Sequence, residues 1–106
     1  MSESQTEFEE LTVLLRQFAA KRNWGKFHNP KNLAMAIAGE VGELVAEFQW
    51  LTSDESELAL LSTEQLEAIG LEIADVQIYL IRLADILGLG IPDLVRRKVA
   101  INEVRF

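Results

Sequence analysis

Leu33-Ala34-Met35-Ala36-Ile37-Ala38-Gly39-Glu40-Val41-Gly42-Glu43-Leu44-Val45-Ala46-Glu47-Phe48 is the stretch that decides how this chain folds. Wound as a helix at about 100° per residue with Leu33 at zero, Leu33, Ile37, Leu44, Phe48 and Leu51 fall within roughly 60° of arc. On the same count Glu40 lies at about −20°, Glu47 at about −40° and Glu43 at about −80°. Three acids therefore stand inside or beside a stripe that faces a core. Glu72-Ile73-Ala74-Asp75-Val76 repeats the arrangement downstream. With Glu72 at zero, Asp75 is near −60°, while Ile69, Val76, Leu83 and Ile86 span about −40° to +60°.

An ionised carboxylate without a partner in a low-dielectric interior carries a large penalty, so inward-facing acids protonate, pair with a cation or bind metal. Basic residues close in sequence are scarce: the second helix carries only Lys31 and the third only Arg82. The missing positive charge is better supplied by a metal ion. Oxygen-only ligands suit hard cations such as Mg²⁺ or Mn²⁺, whereas zinc and iron sites recruit His or Cys. The chain has no cysteine, and its one histidine, His28, follows neither acidic pair at i+3, which removes the Glu-x-x-His pattern of di-iron bundles. Glu40, Glu43, Glu72 and Asp75 are the candidate metal ligands.

Working outward, helical periodicity dominates, with only two prolines and six glycines to interrupt it. Ser4 and Glu7 form a capping-box pattern ahead of Phe8, Leu11, Leu15 and Phe18, which mark one face of a first helix ending near Arg22. A loop rich in rings, Trp24, Phe27 and His28 among them, leads to a second helix from position 30 or 31 to 51, with Pro30 in its favoured first turn. Positions 52–61 form an acidic connection. A third helix starts after Ser62, which pairs with Gln65 as a capping box, and ends at Gly88. Pro92 opens a fourth helix running nearly to Phe106. The expectation is a single all-α domain over 1–106, four helices in a bundle-like unit completed by oligomerisation. Gly39 and Gly42 each weaken the helix by about 1 kcal/mol relative to alanine. They are expected either to let a helix pack closely or to leave room for a ligand beside the acids.

At 106 residues a core forms, but burial against a second copy adds stability. The third helix also carries Leu71, Ile73, Ile78, Leu80, Ile81 and Ala84, and a helix apolar on nearly every side belongs at the centre of an assembly. A net charge of −7 argues against binding nucleic-acid polymers, which depends on clustered Lys and Arg. No segment has the roughly 20 uninterrupted apolar residues of a membrane helix. With no cysteines and a polar, acidic start, a cytoplasmic protein is expected.

Glu40-Val41-Gly42-Glu43 followed by Glu72-Ile73-Ala74-Asp75, with Phe48-Gln49-Trp50 and Tyr79-Leu80, resembles the MazG-like all-α nucleoside triphosphate pyrophosphohydrolases. Trp24 to Leu33 also resembles the entry loop of the dCTP pyrophosphatase branch. The resemblance covers roughly positions 18–106. It implies Mg²⁺-dependent hydrolysis between the α and β phosphates of a nucleoside triphosphate, with dCTP or another, even modified, pyrimidine deoxynucleotide as substrate and a housecleaning role. It further implies metal binding by Glu40, Glu43, Glu72 and Asp75, with Glu43 as general base and Glu47 as an auxiliary acid. Base and sugar fall to Trp24, Phe27, His28, Asn32, Trp50 and Tyr79, and phosphates to Lys98, Asn102 and Arg105, the last three approaching from a neighbouring subunit of a dimer or of a tetramer built from dimers.

Ordinary roles compete with several of these. The tryptophans serve equally as core or interface packing, His28 as a cap, and the basic fourth helix as a complement to its own dipole. Two other functions fit the same residues: a non-catalytic helical oligomerisation module, and a sensor that binds Mg²⁺–nucleotide without turnover.

Overall fold

A computed structural model describes the backbone from residue 3 to residue 106, and the side chains from residue 6 onward. Among the described residues four helices form: α1 (Glu3–Lys21), α2 (Pro30–Ala46), α3 (Thr63–Ile86) and α4 (Ile91–Arg105), with a 3₁₀ turn at Leu58–Leu60. No strand is present among the described residues. The Ser4–Glu7 capping pair expected for α1 involves a side chain outside the described set.

Local chemistry sets the helix ends. Asn29 caps α2 by accepting the Asn32 backbone N–H at 2.9 Å, and Pro30 occupies the first turn. Ser62 and Gln65 close the capping box on α3, with Ser62 Oγ accepting from Gln65 N–H at 3.0 Å and Gln65 Oε1 accepting from Ser62 N–H at 2.8 Å. At the far end of α3, Gly88 turns left-handed at φ 69°, letting its N–H reach Asp85 O at 3.1 Å and that of Leu89 reach Ala84 O at 2.8 Å. The end of α1 uses the same device with Asn23 at φ 57°, which sends the Trp24 N–H back to Ala19 O at 3.0 Å.

The second helix is shorter than its periodicity suggests. It ends at Ala46, and the chain tightens from Glu47 into i→i−3 bonds, Glu47 N–H to Leu44 O at 3.2 Å, Phe48 N–H to Val45 O at 3.0 Å and Leu51 N–H to Phe48 O at 2.9 Å. A 3.0-residue turn departs from a 3.6-residue one by only about 20° per residue, so Glu47 and Phe48, just past Ala46, still fit the helical stripe and the spacing runs on through them.

α2 packs along α3, α1 lies against α3, and α4 touches α1. The core is thin. Ala19, Leu33, Ile69 and Ile81 are the buried apolar residues, and Leu33, at 1% exposure, is the one fully buried side chain among the described residues. The accessible surface is 7985 Å², against about 5,950 Å² for a typical monomer of this mass. The radius of gyration is 16.2 Å, against about 13 Å for a domain of this length. Leu71, Ile73 and Ile78 of α3 and Val95, Val99 and Ile101 of α4 are exposed. The four-helix expectation holds for the elements, but one chain does not close a bundle.

Candidate functional site

Packing α2 on α3 brings the acids together. One oxygen each from Glu40, Glu72 and Asp75 lies within 4.8 Å of the others. Glu72 and Asp75 share a face because they are three apart on α3. Glu72 Oε2 is buried and has no hydrogen-bond partner. Loss of water, then the charges of Asp75, Glu43, Glu40 and Glu47, push the Glu72 carboxyl above the ordinary glutamate range. Among the described residues, no ion pair reaches any of these acids. Ligands at about 2.1 Å from an octahedral Mg²⁺ are at most about 4.2 Å apart. Small rotamer changes would therefore let the triad close on such a cation, and the orphaned Glu72 oxygen would find its partner there. Glu43 is exposed and outside the triad, and Glu47 is half-buried; both remain near enough to act on Glu72.

The triad opens onto a cavity of about 220 Å³. Glu40 and Asp75 form its acidic edge, and Trp24, His28 and Tyr79 supply rings. The rings run in sequence, Trp24 to His28 at 5.9 Å and His28 to Tyr79 at 6.3 Å, with Phe18 edge-on to Trp24 at 5.6 Å. Burial, and then the Arg82 charge, push the His28 imidazole below its usual pKa, so it is neutral at neutral pH. Arg82 Nε donates to His28 Nδ1 at 3.4 Å, which places the imidazole proton on Nε2.

Sequence reasoning missed Leu15, Phe18, Ile78 and above all Arg82, each of which lines this cavity. A signal for Arg82 existed: it follows Asp75 by seven residues and Tyr79 by three, so it lies on their face of α3.

Other expected residues stand outside the cavity in one chain. Phe27 is exposed beneath the Lys26 ammonium, 5.0 Å from its ring centre. Asn32 holds the entry loop, its Nδ2 donating to Phe27 O at 3.1 Å. Trp50 is 87% exposed. Lys98, Asn102 and Arg105 ride on α4, where Arg105 covers the Phe106 ring at 5.2 Å. Beside Gly39 and Gly42 a Cβ would meet nothing within 4 Å, so the room expected there is present and no helix of the same chain fills it.

A larger cavity, about 460 Å³, opens between α1, the end of α3 and the start of α4. Its Asp85 is already paired with Arg16 at 2.7 Å and, among the described residues, no acid cluster adjoins it, so the chemistry favours the smaller one.

Known proteins resemble this chain in both sequence and fold. The family model described as the MazG-like family matches residues 35–105. The chain is 41% identical to dCTP pyrophosphatase 1 of Homo sapiens over 98 residues, covering 92% of this chain and 58% of that protein. It is 37% identical to the Bos taurus protein of the same name over 103 residues, covering 97% of this chain and 61% of that protein. The chain thus spans about three-fifths of the length of these curated relatives. Its fold also matches the crystal structure of a pyrophosphatase from Archaeoglobus fulgidus with a TM-score of 0.86 and 41% identity, over 94% of this chain and 92% of that one.

Proposed function

The chain belongs to the MazG-like family, and from that premise we propose that it hydrolyses a nucleoside triphosphate to the monophosphate and pyrophosphate, with dCTP or a related pyrimidine deoxynucleotide as substrate. The observation that carries this reading is the sharing of Glu40 and Asp75 between an aromatic cavity and a carboxylate triad whose Glu72 Oε2 is unpartnered. A cation site and a ring-binding site with common walls suit a molecule that is phosphate at one end and base at the other.

Glu40, Glu72 and Asp75 would hold Mg²⁺, or Mn²⁺ in its place, and Glu43 would complete the set. When bound, the cation neutralises phosphate oxygens and lowers the pKa of water. Glu43, exposed and near enough to act on Glu72, accepts the proton of the water that attacks the α-phosphorus, and the bond to the bridging oxygen breaks to release pyrophosphate. Trp24 and His28 stack on the base, and Tyr79 packs against the sugar. Removing non-standard or surplus deoxynucleotides, a housecleaning task in the cytoplasm, follows from such an activity. No helix among the described residues is long and apolar enough to cross a membrane.

Incubation with each dNTP and Mg²⁺, with assay of both products, is expected to give pyrophosphate and monophosphate in equal amounts, fastest from dCTP. Glu43→Gln is expected to keep the helical content and lose about 100-fold or more in rate. Nucleotide binding without product would point to a sensor instead, and full activity of the variant would remove Glu43 from the mechanism.

The exposed apolar faces of α3 and α4 support self-association as a dimer or a tetramer of two dimers. Lys98, Asn102 and Arg105 then reach the phosphates of a neighbouring copy. Light scattering is expected to give a mass of at least two chains, and a stable monomer would refute the assembly.

A further inference from the structure

Arg82 is the buried charged residue of this chain, 7% exposed, and no other polar side chain among the described residues is buried to that degree. It lines the cavity that Glu40 and Asp75 border. Its bonds are long, to His28 Nδ1 at 3.4 Å and to Asp85 Oδ2 at 3.4 Å. Asp85 is meanwhile gripped by Arg16 at 2.7 and 3.0 Å, so its charge is matched without Arg82. A guanidinium carries five N–H donors in a planar fork. Two long bonds leave most of that capacity for a ligand.

Position along α3 says which part of a ligand. Tyr79 and Arg82 are four and seven residues beyond Asp75, about 6 and 10.5 Å of helix rise. In a nucleotide whose phosphates sit at the triad, the sugar and then the base lie successively farther away. Resting on the nucleotide reading above, we propose that Arg82 determines specificity by donating a pair of hydrogen bonds to two adjacent acceptors on the base edge. Cytosine offers such a pair at O2 and N3, and guanine at O6 and N7. Uracil and thymine place an N–H between their two carbonyls, and adenine sets an amino donor beside N7, so neither accepts a fork. Ring stacking by Trp24 and His28 holds any base; the fork selects among them.

Calorimetric binding of dCMP, dGMP, dUMP and dAMP to the full chain tests this without requiring any bond to break. The parent protein is expected to bind dCMP or dGMP roughly 5- to 150-fold more tightly than dUMP, the two arms separating a pyrimidine from a purine preference. Arg82→Met is expected to bring that ratio close to one by weakening the preferred nucleotide far more than dUMP. Arg82→Lys, which keeps the charge beside Asp85 but not the fork, is expected to lose most of the ratio too, and serves alone if the methionine variant does not fold. Equal weakening of all four ligands would assign Arg82 to phosphate binding or to structure and overturn the proposal. An unchanged ratio, a parent protein without preference, or no binding at all would also overturn it. Absence of pyrophosphate release from triphosphates would instead sink the hydrolase reading and leave the binding ratio standing.

Discussion

Glu72→Gln protein is expected to release pyrophosphate at least about 100-fold more slowly than the parent, yet to melt at a higher temperature when no divalent cation is present. The rate follows from rank: changing even the outer partners of metal ligands lowers metal affinity or activity about 10- to 100-fold, and Glu72 would be a ligand itself. The stability follows from repulsion. Glu72 is pressed by its own desolvation and by Asp75, Glu43, Glu40 and Glu47, and its Oε2 has no donor. A neutral amide removes the charge and brings an N–H₂ group to four acceptor-only neighbours.

Linkage gives the sign with pH. Folding raises the Glu72 pKa, so between the ordinary glutamate value and the raised one the folded chain holds a proton that the unfolded chain has lost. Metal-free stability therefore falls as pH climbs through that window, and the glutamine variant lacks this loss. Asp85 works oppositely: its hydrogen bond from Arg16 lowers its pKa, so its contribution is present above the ordinary aspartate range and disappears on acidification in both proteins. Adding Mg²⁺ is expected to raise the melting temperature of the parent alone. An equal rise in the variant would exclude Glu72 as a ligand.

The second large effect is on the fold. Leu33→Ala is expected to cost about 2–5 kcal/mol, read from the urea midpoint at fixed protein concentration. Leu33 is the one fully buried side chain among the described residues, one turn past the Asn29 cap, so its loss leaves a void that few neighbours can collapse into. Set against a total of about 5–15 kcal/mol for folded proteins, that is a large share, and it multiplies the unfolded-to-folded ratio by about 30 to 5,000. A shift below about 0.5 kcal/mol would show that the core lies elsewhere, in contacts between copies.

What the sequence disclosed and what it hid divide along the range of the interactions. Ser62 and Gln65 were legible as a cap because both partners lie within one turn. Glu40 and Glu72 were legible as misplaced charges because a helical stripe is a local property. Asn23 was not read as the left-handed end of α1, although asparagine tolerates that conformation better than most residues. Arg82 was seen only as a scarce cation. Its long side chain can swing to water or into the interior, and only the approach of the 22–29 loop and of α1 decides which. Lys98, Asn102 and Arg105 were assigned by family pattern, and a single chain keeps them out of the cavity. Positions that act across an interface leave no periodic trace in the sequence that carries them.

One wall of the cavity, formed by Leu15, Phe18 and Ala19, belongs to α1. The long-range polar tie from that helix to α3 is the two-pronged Arg16–Asp85 pair, whose arginine is 58% exposed. With its arginine in water, such a pair weakens as the salt concentration rises. Dissolved salt is therefore expected to loosen the α1 wall of the pocket from a point outside the acid triad, and ligand affinity is expected to inherit a sensitivity to electrolyte that the bound molecule's own charge does not explain.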